Sequence, residues 1–150
     1  IDYFDPESCV VFGSSFGGKV VFHAANTDEC VNGVIGKAPV TYNDIMDKFR
    51  SVVDAKDRFE YIDGKPIDQR FFDDFDTYSF DTVANNLDVP ALIFHGAADT
   101  TVHTGKSIKA VKELDTDVAF HKLKDEKHSF TDDAEQHMIA ATVSWLHNNF

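Results

Sequence analysis

Hydrophobic positions along this chain fall into short blocks separated by glycine, proline and acidic clusters. Cys9-Val10-Val11-Phe12 is a continuous apolar run ending at Gly13, the pattern of a strand buried on both faces. Phe16 to Ala25 is helix-compatible, with Val20, Val21 and Ala24 available to face a sheet. Val31 to Ile35 predicts a second strand, Pro90 to His95 a third that closes at Gly96, and Val118 to Leu123 a fourth. Between the last two, Thr104 to Leu114 predicts a helix with Ile108, Val111 and Leu114 on one side. Asp132 or Asp133 is positioned to cap a final helix in which Ile139, Val143, Leu146 and Phe150 recur at helical spacing. Strands alternating with helices predict an α/β domain with a largely parallel sheet.

One segment breaks the rhythm. From about residue 39 to 87 the chain is rich in Asp and Phe. Arg58-Phe59-Glu60-Tyr61-Ile62 alternates, Asp63-Gly64 offers a tight turn, and Lys65-Pro66-Ile67 returns. Phe71, Phe72, Phe75, Tyr78 and Phe80 follow closely. This reads as an insertion packed over one end of the sheet, its aromatics forming a small core of their own or lining a pocket.

Composition narrows the classes. A chain of 150 residues suits one domain with a real core. Its 26 acidic against 14 basic side chains leave a formal charge of -12, which argues against nucleic acid or an anionic membrane as partner. The apolar runs are too short to span a bilayer, and no charged, apolar leader opens the chain. Cys9 and Cys30 form no metal motif or disulfide framework; both are expected to be buried thiols, which points to a reducing, cytoplasmic compartment. The run Asp73-Asp74-Phe75-Asp76 lacks the spacing and turn glycine of a calcium loop and reads as solvated surface, so no metal or cofactor is expected.

Chemistry enters at Gly13-Ser14-Ser15-Phe16-Gly17, a G-x-S-x-G match between an apolar strand and a helix-compatible segment. A serine on a sharp strand-to-helix turn is lifted out of the sheet and sits at a helix N-terminus, where backbone N–H groups favour a developing negative charge. Glycines two residues either side of Ser15 leave room for that turn. The N–H of Phe16 is the expected oxyanion donor. A serine nucleophile needs a base, and the base an orienting acid. Asp99 lies just past the third strand, at the sheet edge where ligands bind in open α/β sheets. His128 lies in the loop between the fourth strand and the last helix. The rivals are weaker. His95 is expected to make structural hydrogen bonds, His103 starts a helix, Ser14 is out of frame, and Asp125 and Glu126 only flank the histidine loop. His23, His121, His137 and His147 show no partner spacing.

These motifs together resemble the C-terminal part of the α/β-hydrolases. Gly13 to Gly18 looks like their nucleophile elbow, His95 to Val102 like their acid loop, and His128-Ser129-Phe130 like their histidine loop. The insertion is similar to the cap of small esterases, feruloyl and cinnamoyl esterases among them. The resemblance implies a sheet with helices on both faces, a cap insertion, and a Ser15–Asp99–His128 hydrolase of carboxylic esters acting on a small-molecule substrate without a cofactor. Family members carry several strands before the elbow, one of whose loops gives a second oxyanion donor. The first strand is therefore expected to be central, paired with N-terminal strands from the same or another chain. Two alternatives stay open: a thioesterase or prolyl-oligopeptidase-like peptidase with the same three residues, and a non-catalytic binding module on the same scaffold.

Overall fold

The computed structural model describes residues 7–56, 59–60 and 66–150. Its frame is a four-stranded parallel sheet of β1 (Val10–Ser14), β2 (Gly33–Lys37), β5 (Ala91–Gly96) and β6 (Val118–Leu123), in the order β1-β2-β5-β6. Each parallel pair needs a crossover. α1 (Phe16–Thr27) joins β1 to β2, α5 (Thr104–Glu113) joins β5 to β6, and α6 (Asp132–Asn149) ends the chain. The long β2–β5 connection holds a 3₁₀ turn (Asn43–Met46), α2 (Asp47–Lys56), the hairpin strands β3 (Phe59–Glu60) and β4 (Pro66–Ile67), α3 (Gln69–Asp76) and α4 (Phe80–Asn86). The expected Asp63-Gly64 turn lies outside the described residues.

Strand alternation sends successive side chains to opposite layers. On one face, Val34, Ala91 and Ile93 pack with Phe22 and Ala25 of α1, Phe80 and Val83 of α4, and Ala110 of α5. On the other, Ile35, Leu92 and Phe94 pack with Phe130 and with Trp145 of α6. Helices thus cover both faces of the sheet. α4 completes the layer of α1 and α5, so the aromatic segment is divided: Phe80 lies in the main core, while Phe75 forms a satellite cluster with Val40 and Val102. No described helix is long and apolar enough to cross a membrane.

β1 lies at one edge of the described sheet: it pairs only with β2, and Phe12 is 52% exposed, so the neighbours expected on its other side are not among the described residues. Other expectations need correction. The last helix is capped by Thr131, whose side chain accepts from Ala134 N–H, and not by Asp132 or Asp133. Its sheet-facing stripe runs through Ala134, Met138, Ala141 and Trp145, leaving Ile139 and Val143 exposed. Both stripes have helical spacing; the indole is the larger apolar body, and burying it turns the weaker stripe outward. Cys30 is exposed in the turn after α1 and Cys9 is half-buried, because both lie outside the strands proper.

Candidate active site

The three singled-out side chains come from loops at the C-terminal ends of β1, β5 and β6, and the fold brings them together. His128 Nε2 lies 3.0 Å from Ser15 Oγ, and His128 Nδ1 lies 2.8 Å from Asp99 Oδ2. An ionised Asp99 only accepts, so Nδ1 carries the proton and Nε2 is free to accept from the serine hydroxyl. Burial pushes the Asp99 carboxyl up. Hydrogen bonds from His128 and from the backbone N–H groups of Val102 and Thr101 outweigh it and hold the carboxyl below its ordinary value.

Ser15 is the N-cap of α1 and has φ 55°, ψ −120°, a conformation L residues rarely adopt. Surrounding backbone holds it there: its N–H donates to Lys37 C=O at 2.9 Å, and its C=O accepts from Gly18 and Val40 N–H at 3.0 and 2.9 Å. The N–H of Phe16, first residue of α1, belongs to the set that a helix N-terminus leaves without intrahelical partners. Of the motif glycines, Gly13 is needed, since a Cβ there would meet Gly17 O at 2.2 Å. Gly17 faces open space, contrary to expectation. It is Gly18 that permits a close approach, since a Cβ there would lie 2.5 Å from Pro39 Cβ.

Gly96 carries a role that sequence reading missed. A Cβ there would lie 2.3 Å from Glu126 O and 2.5 Å from Lys127 O, so a bare backbone is what lets the Asp99 loop cross the His128 loop. Ala98 N–H donates to Glu126 C=O at 2.8 Å, tying the crossing. The available signal is a glycine closing a strand that is apolar up to His95.

The rivals are elsewhere. His103 caps α5, its Nδ1 accepting from Gly105 N–H at 3.1 Å. Glu126 binds Thr131 at 2.8 Å, and Asp125 takes a positive φ of 61° in the turn. His121 stacks on Phe94, with His137 beside it. Asp73 and Asp76 engage Gln69 and Arg50, and no metal-holding cluster occurs among the described residues.

A cavity of about 310 Å³ opens at Ser15, lined by Phe16 and Val102 and, from the β2–β5 connection, by Ile45, Met46 and Phe71. A larger one of about 400 Å³ lies on the outer side of α1 and does not include Ser15. Phe16 and Phe71, rings 5.9 Å apart, line both. Lys19, which sequence reading did not single out, is buried beneath this wall. Its ammonium reaches Asn43 Oδ1 at 2.7 Å and the Tyr78 carbonyl, and sits 4.6 Å from the Phe75 ring centroid. Burial pulls its pKa down to about 8, partly opposed by Asp76. It thereby fastens α1 to both ends of the connection.

The whole chain, residues 1–150, matches the prolyl oligopeptidase family. No curated protein matches it. Among solved structures, Est1E from Butyrivibrio proteoclasticus with bound ferulic acid superposes with a TM-score of 0.80 at 19% identity, over 97% of this chain and 63% of that one. Alpha/beta hydrolase domain-containing protein 10 from mouse gives 0.74 at 20% identity, over 96% and 64%. Monoacylglycerol lipase from Paleococcus ferrophilus gives 0.71 at 20% identity, over 96% and 70%. The fold is that of the α/β-hydrolases, and this chain spans under two-thirds of the length of the first two.

Proposed function

The chain belongs to the prolyl oligopeptidase family, and from that premise we propose that it carries the nucleophile, base and acid of a serine hydrolase of carboxylic esters. The observation that supports this most directly is His128 bridging Ser15 and Asp99 at 3.0 and 2.8 Å. Ser15 Oγ attacks the acyl carbon as His128 Nε2 takes its proton. Asp99 holds the imidazole tautomer and stabilises the imidazolium. Phe16 N–H receives the oxyanion. His128 returns the proton to the departing alcohol, and water then cleaves the acyl-enzyme by the same route. No cofactor takes part. The apolar lining from Ile45, Met46 and Phe71 favours a small-molecule substrate with an apolar or aromatic group.

The proposal has three further parts. Within the segment from about 39 to 87, the part that precedes α4 acts as a cap over the substrate, α4 itself belonging to the main core. Strands from elsewhere in the polypeptide, or from another chain, pair with β1, cover Phe12 and contribute a second oxyanion donor; the exposure of Phe12 supports this. The setting is cytoplasmic, which the free thiol of Cys9 favours.

A peptidase is the second reading, favoured by the family match itself. Matched ester, thioester and amide substrates separate the two. The ester is expected to turn over fastest, and consistently better amide turnover would overturn the esterase reading. An organophosphonate probe tests the chemistry beneath both: the wild type should label at Ser15, while Ser15→Ala and His128→Ala should not. Absence of labelling in the wild type would instead favour a binding module.

A further inference from the structure

We propose that His95 is a positioning residue: a buried neutral imidazole that holds the Asp99 carboxylate, and the loop carrying it, in the orientation His128 requires. The inference rests on the serine-hydrolase reading. His95 occupies the penultimate position of β5 and is fully buried. Its Nδ1 lies 2.7 Å from Ser107 Oγ on α5; its Nε2 lies 2.8 Å from Val102 C=O and 3.3 Å from Asp99 Oδ2.

Those partners fix the proton. A carbonyl and a carboxylate only accept, so Nε2 carries the hydrogen, shared between Val102 and Asp99. Nδ1 is then bare and accepts from the Ser107 hydroxyl. Both ring nitrogens are satisfied without a charge, the condition under which a fully buried imidazole is tolerated.

The bonds close a ring around the acid. Asp99 Oδ1 accepts from Thr101 and Val102 N–H at 2.8 and 3.0 Å. The carbonyl of the same Val102 accepts from His95, whose N–H also flanks Oδ2. One carboxylate oxygen is thus held by backbone, and the other points at His128 with His95 at its side. Without the imidazole, the buried Val102 carbonyl loses its partner and the carboxylate is free to rotate. Val102 also lines the cavity at Ser15, so slackening this loop moves the wall as well as the acid.

The sign of the electrostatic effect follows. A donor beside Asp99 draws charge from its carboxylate. Removing it leaves more of the carboxylate's charge to stabilise the imidazolium that forms in the reaction, so the pH profile of the labelling rate moves upward.

The test is the second-order rate of phosphonate labelling against pH, in the full chain. His95→Leu is expected to lower the plateau by about ten- to a hundredfold, the range that misplacing a catalytic group produces, and to move the midpoint upward. His95→Gln, whose amide N–H reaches the Nε2 position, is expected to restore most of the rate and the wild-type midpoint. Ser107→Ala removes one hydroxyl and is expected to give a smaller loss with the same upward shift. A folded His95→Leu with wild-type rate and midpoint would overturn the proposal. If His95→Leu does not fold, wild-type behaviour of Ser107→Ala would do the same. A wild type that fails to label, or a Ser15→Ala that labels, sinks the hydrolase reading itself and this inference with it; that failure is recognisable because it does not involve His95.

Discussion

β1 and β5 are written alike and placed differently. Each is a short apolar strand closed by a glycine-containing turn that delivers one candidate catalytic residue, Ser15 or Asp99. β5 is buried at all six positions and paired on both sides. Among the described residues β1 is paired on one side, and it exposes Phe12 at 52%. Apolar content states that a strand expects cover; it does not state who provides it. The same contrast reaches the histidines of the two regions. His95, in β5, has both ring nitrogens bonded, whereas His23, on the helix after β1, buries an Nε2 with no partner among the described residues.

The largest effect should come from the β5 loop. On the hydrolase reading, Asp99→Asn keeps the shape but inverts the hydrogen-bond requirement at His128 Nδ1, and kcat on an ester is expected to fall roughly ten-thousand-fold. A loss under tenfold would mean that Asp99 does not serve as the acid.

Matched truncations come next. Leu92→Ala in β5 is expected to cost about 3 kcal/mol in denaturant unfolding, from lost burial and the cavity left behind. Phe12→Ala in β1 is expected to cost less than about 0.5 kcal/mol in the 150-residue chain. A cost near that of Leu92→Ala in a longer form of the protein would show that Phe12 is covered there, as the proposed partner strands require.

A further contrast is a pH dependence. Burial, reinforced by the nearby Lys19 charge, lowers the His23 pKa from 6.5 to about 4. Between those values the unfolded chain binds a proton that the folded one refuses, so stability rises with pH across the window and is lost on acidification. His23→Phe is expected to show a smaller drop in Tm from pH 6.5 to 4.5 than the wild type. An equal drop would mean that the carboxylates alone set the acid sensitivity.

The strand–helix alternation was legible because it rests on local periodicity. So was the Ser15, Asp99, His128 order, since each residue follows a strand end in a recognisable local pattern. What escaped depends on distant neighbours. Gly96 reads locally as a strand terminator, and its contact with Glu126 and Lys127 is set by a loop distant in sequence. The outward turn of Ile139 follows from Trp145 claiming the sheet, a competition that spacing alone does not decide. With fourteen phenylalanines in the chain, composition could not say that Phe80 joins the main core while Phe16 and Phe71 wall the Ser15 cavity.

The positive φ of Ser15 has a practical consequence. Glycine adopts that backbone angle without penalty, so Ser15→Gly should make the protein harder to melt, by about 1 kcal/mol after the greater freedom of the unfolded glycine is subtracted. A display library sorted only for heat resistance would therefore enrich glycine at position 15. Engineering this scaffold for robustness calls for a turnover screen run alongside, because heat selection alone favours discarding the hydroxyl.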